Sequence, residues 1–67
     1  MDSEQLLAAV TAINGVAAEF PKLRLTYEGA ILILMTLEHQ YADNWSVANI
    51  RAAITRLQAE GSLEAQQ

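Results

Sequence analysis

Residues 30–37 read AILILMTL, seven apolar residues out of eight in a chain of only 67. Its β-branched content would suit a buried strand, but its surroundings read as helix. Thr26 can act as an N-cap, Glu28 falls in the first turn where the helix dipole favours negative charge, and the polar EHQ follows the run. The sequence therefore predicts a helix over 27–41 that is apolar on nearly every side. Such a helix needs neighbours on more than one side, so it is expected at the centre of its domain. The run is far too short to cross a bilayer, which takes roughly 18–20 residues.

The neighbours can be read on either side of it. Asp2 and Gln5 have the spacing of a capping box, and Leu6, Val10, Ile13, Ala17 and Phe20 then recur at four- and three-residue steps, with Ala9 and Val16 alongside. This predicts a helix over 3–20 that stops at Pro21, because the residue before a proline is pushed away from helical angles. Gly15 interrupts the helix, and close packing of a neighbouring helix is the preferred explanation. Leu23 and Leu25 can tuck into the core from the connector 22–25. Ser46 is the expected cap of a third helix over 47–60, with Val47, Ile50, Ile54 and Leu57 on one stripe and Gly61 closing its C-terminus. The tail, 62–67, is expected to fray. The reading is a single all-α domain over 1–67, a compact three-helix fold.

Composition narrows the possible functions. A domain of this length buries only about 60% of the surface its unfolded chain exposes, so its stability margin is thin. Because 52% of the residues are apolar, a packed core needs no metal or disulfide. The absence of cysteine fits a reducing compartment, and the acidic start MDSEQ does not resemble a signal peptide; a cytoplasmic protein is expected. Eight acidic residues against Lys22, Arg24, Arg51 and Arg56 give a formal net charge of −4, which opposes tight nonspecific binding to phosphate backbones.

No catalytic pattern emerges. His39 is the only histidine, and adjacent Glu38 does not share its helix face. The glycines stand alone at 15, 29 and 61, so no phosphate-binding loop is present. No catalytic residue, cofactor site or metal site is expected. Trp45, beside the start of the third helix, can plug the core or anchor a partner, with the core role favoured. Tyr41 is read the same way, and Tyr27 as half exposed.

The third helix carries the candidate contact surface. Ala48, Asn49, Ala52, Thr55, Arg56 and Ala59 lie opposite its apolar stripe, with Arg51 on the flank. Arg, Asn and Thr can contact base edges or phosphates, while an alanine-rich face also suits close packing against a protein. LRLTYEGAILILMTLEH, residues 23–39, resembles the core segment of MarR-type winged-helix regulators. SVANIRAAITRLQAEGSLE, residues 46–64, resembles their recognition helix and the leucine-glycine-leucine ending before the wing, here Leu57, Gly61 and Leu63. The resemblance implies a winged-helix-like DNA-binding regulator. The wing and one helix of the helix-turn-helix are not matched.

Two functions are thus expected. The favoured one is a small acidic protein-interaction module acting as an inhibitor, adaptor or regulator. The alternative is a DNA-binding regulator using the helix over 47–60. Trp45, Asn49, Arg51, Ala52, Thr55 and Arg56 are the contact candidates for either. A homodimer is also expected, through the alanine-lined face of the third helix or apolar surface on the first, with Arg56 meeting Glu60 across the two-fold axis.

Overall fold

Each helix begins where a side chain takes up the first free amides. The Asp2 carboxylate accepts from the Gln5 amide at 2.8 Å while the Gln5 side chain accepts from the Asp2 amide at 3.3 Å, closing the capping box of α1, Ser3–Ala17. Thr26 Oγ1 accepts from the Gly29 amide at 3.0 Å and starts α2, Tyr27–Tyr41. Ser46 Oγ accepts from the Asn49 amide at 3.3 Å and starts α3, Val47–Ala59. The computed structural model describes residues 2–65, and among them the fold is all-α, a three-helix globule. Its radius of gyration, 10.9 Å, matches the value of about 11 Å for a compact chain of this length.

The helix ends differ more from expectation. α1 stops at Ala17 instead of continuing to 20. The Glu19 amide donates to Val16 O at 2.9 Å and the Phe20 amide to Ala17 O at 3.0 Å, so the chain tightens into i→i−3 turns before Pro21. These turns fold Phe20 back onto the core. α3 ends one residue earlier than expected. Gly61 at φ 74° lets its amide reach Gln58 O and the Ser62 amide reach Leu57 O at 2.9 Å, which is the Schellman pattern.

The central helix is α3, not α2 as the apolar run suggested. α3 packs against both α1 and α2 more extensively than those two pack on each other. Ile50, Ala53 and Ile54 are fully buried, meeting Ile13 of α1 and Ile33 and Leu37 of α2. Among the described residues Thr36 is the one buried polar side chain, and its hydroxyl donates to Leu32 O at 2.9 Å. Two expected core positions are open instead: Leu6 is 45% exposed and Val47 52%. Every residue from 2 to 8 is exposed, so the first two turns of α1 stand clear of the other helices, while Val47 sits in the first turn of α3.

The glycines and the tail also depart from the sequence reading. A Cβ on Gly15 would meet nothing within 4 Å, so no helix packs there. The close approach is at Gly29, where a Cβ would come within 3.3 Å of Leu63 Cδ2 and of Thr26 Oγ1. Leu63 is held there because residues 62–65 are tied down instead of frayed. The Arg24 amide donates to Glu64 O at 3.0 Å, and Leu23 and Ala65 form an antiparallel bridge. Residues 66 and 67 of the expected frayed tail lie outside the described residues.

Two substitutions test this assignment. Gly15→Ala removes the backbone-entropy penalty without a clash and is expected to stabilise the domain by about 0.5–1 kcal/mol, raising the thermal midpoint by several degrees. Gly29→Val overfills the contact with Leu63 and is expected to cost about 1–3 kcal/mol. Amide exchange at Arg24 should quicken in that variant, because the bond to Glu64 is the first to open.

Candidate functional site

On α3 the structure gathers the expected contact residues on one side, but most of their polar groups are already engaged. Asn49 Nδ2 donates to Asn44 O at 2.9 Å, and Asn44 Oδ1 accepts from the Ser46 amide, so the amide side chain braces the turn before the helix. Arg51 donates through Nε and Nη2 to both carboxylate oxygens of Glu19 at 2.9–3.1 Å, fastening α3 to the end of α1. The Thr55 hydroxyl donates to Arg51 O at 2.9 Å. Arg56 pairs with Glu60 of its own chain at 3.4 Å and also meets Gln40 of α2. This exposed in-chain pair involves the same two residues that the expected dimer pairs across its two-fold axis. Ala48, Ala52 and Ala59 are exposed between these groups. Trp45 is half-buried and packs against the core, as Tyr41 does.

A second surface, on α2, was not among the sequence candidates. Ile33 and Leu37 are buried in the core with α3, Gly29 is covered by Leu63 and Leu25, and the opposite side of α2 is left bare by the described residues. Ile31 and Met35 are 38% and 48% exposed. With Leu34, Glu38 and Asp43 they line one groove. Tyr27, one turn before Ile31, is 79% exposed, more than the half exposure expected of it. The signal was in the sequence: a helix apolar all round cannot be fully covered by two companions. The sequence pattern points to α1 and α3 for that leftover surface, and the fold leaves it on α2 as well.

The groove ends at a turn held in an uncommon backbone conformation. Ala42 at φ 50° and Asp43 at φ 63° are both left-handed, and both amides donate to Leu37 O. The Asn44 amide then donates to Tyr41 O at 2.8 Å. This turn carries Asp43 to the rim of the groove and Trp45 back to the core. Its left-handed alanine costs about 1 kcal/mol relative to glycine.

The groove and the ion pairs divide the charges unevenly. Arg24 lies 3.8 Å from Glu64, so three of the four basic residues have a carboxylate partner within the chain. Glu28, Glu38 and Asp43, on or beside the open side of α2, form no ion pair among the described residues. His39 is exposed on α2, and no three His, Asp or Glu side chains converge as a metal site among the described residues. No described helix is long and apolar enough to cross a membrane. Comparison with protein-family models, curated proteins and solved structures gives no match to this chain.

Ala42→Gly should relieve the strained turn and raise stability by a few tenths to about 1 kcal/mol, the greater freedom of glycine in the unfolded chain offsetting part of the gain. A chemical denaturation midpoint that rises at unchanged slope is the expected result.

Proposed function

We propose that this chain is a non-enzymatic protein-interaction module that docks a partner protein on the open side of α2 and acts as an inhibitor, adaptor or regulator. The observation that carries this reading is the groove of Ile31, Leu34 and Met35 with carboxylates at its rim. Neighbouring large apolar side chains left exposed on a small domain are where burial by a second surface gains most. A cysteine-free acidic chain fits action in the cytoplasm.

DNA binding through α3 is the weaker alternative. Phosphate attraction dominates nucleic-acid affinity, and Arg51 and Arg56, the two arginines of α3, are partnered by Glu19 and Glu60. Each exposed pair is worth no more than about 1 kcal/mol, so DNA could displace it, but the displaced carboxylates would then face the phosphates. Self-association across the alanines of α3 would exchange the in-chain Arg56–Glu60 pair for the same pair across the two-fold axis.

Two variants separate the readings. Met35→Glu places a charge in the groove, and the double variant Arg51→Gln, Arg56→Gln removes the cations of α3. Used as baits in a lysate of the source cells, the wild type and the arginine variant are expected to retain the same protein, and Met35→Glu to lose it. Circular dichroism should show all three equally helical. Retardation of random duplex DNA at micromolar protein, weakening steeply with salt and lost in the arginine variant, would reverse the assignment.

A further inference from the structure

The charge around the groove restricts what can occupy it. Resting on the docking reading above, we infer that the open side of α2 takes a basic amphipathic helix, one whose apolar stripe is flanked by Lys or Arg. The groove residues Ile31, Leu34 and Met35 follow helical spacing, so together with Tyr27 one turn earlier they form a straight apolar strip. A straight strip on a helix is matched by the apolar face of a second helix. The strip carries Glu38 and Asp43 at one end and Glu28 beside its start, and its lining includes no Lys or Arg. Arg56 reaches α2 only at Gln40, roughly half a turn around the helix from Ile31 and Glu38.

A second copy of the chain fits this rim poorly. In a symmetric pair across α2 the same patch meets itself, which sets Glu38 and Asp43 against their own equivalents when the helices run parallel and against Glu28 when they run antiparallel, acid facing acid either way. A second bare apolar surface, Leu6 and Leu7 on the projecting start of α1, is accompanied by Asp2 and Glu4. Docking that arm into the groove of another copy would again bring acid to acid. A partner with cations flanking its apolar face gains at both ends of the strip and is drawn in by the acidic field.

Three synthetic 18-residue peptides test the inference. All share one leucine stripe at helical spacing and differ only in flanking residues, which are Lys, Gln or Glu. Binding to the full chain is followed by heteronuclear NMR titration, with sedimentation equilibrium of the chain alone. The Lys peptide is expected to bind best, shifting the amides of Ile31, Met35, Glu38 and Asp43, with about fivefold weaker binding for the Gln peptide. Glu38→Gln with Asp43→Asn should reduce that preference, as should raising the salt, and asparagine suits the left-handed backbone at 43. Equal binding of the Lys and Gln peptides to the groove would overturn the basic partner while leaving the docking reading intact. If none of the peptides shifts those amides, both fall. A wild-type dimer that Met35→Glu converts to monomer would put a second copy on this face and overturn the inference.

Discussion

The fold depends on one stripe of α3. Ile50, Ala53, Ile54 and Leu57 fall at positions i, i+3, i+4 and i+7 of one helix face, and the first three are fully buried. Ala53 is small enough to let a neighbouring helix come close, while the two isoleucines fill the space on either side of it. Burying an isoleucine contributes about 1.5–3 kcal/mol, so this pair matches a large part of the stability expected of so short a domain. Truncating either one leaves a cavity that three helices meet around and none can fill alone. Ion pairs could not take over this role. Each of the three is partly exposed; Arg24–Glu64 and Arg51–Glu19 align one segment with another, while Arg56–Glu60 lies at the end of α3.

Centring the core on α3 explains the surface. Two helices pack on a central one along its two sides, and each keeps a side that faces away. For α1 that side is largely alanine and polar residues, apart from Leu6 and Leu7 on its projecting start. For α2 it is Tyr27, Ile31 and Met35, because the sequence of that helix is apolar in every direction. Residues 62–65 do not cover it. Leu63 folds instead onto Gly29, on the covered side of α2, where the missing side chain leaves room for it. The bare side of α2 is therefore a result of topology, and no rearrangement of the described chain is needed to expose it.

Local chemistry was the most legible part of the sequence. The three caps at Asp2, Thr26 and Ser46 and the helix-ending Gly61 are read from single residues, because each satisfies backbone groups a few positions away. α2 accordingly has the bounds its sequence predicts. What involves distant partners was less legible. Gly15 and Gly29 look alike in sequence, and only the return of Leu63, thirty-four residues after Gly29, makes the second a packing site. The most hydrophobic helix was expected at the centre because composition records how much apolar surface a helix has, not how much of it is covered. α3, with polar residues on one side and a narrow buried stripe on the other, turned out to be the better keystone.

The same distinction applies to charge. On α3 the sequence lists Arg51 and Arg56 as cations available to a ligand, yet folding brings Glu19 to one and leaves Glu60 one turn from the other. Folding pairs the three arginines with the carboxylates of Glu64, Glu19 and Glu60, while the carboxylates beside the α2 groove form no ion pair among the described residues. A net charge of −4 spread evenly would only keep the protein apart from other acidic surfaces. Concentrated beside the bare apolar strip, the same excess becomes directional. For an occupant of the kind proposed, apolar burial would supply most of the affinity, and the rim carboxylates would select by penalising any occupant that brings acids of its own.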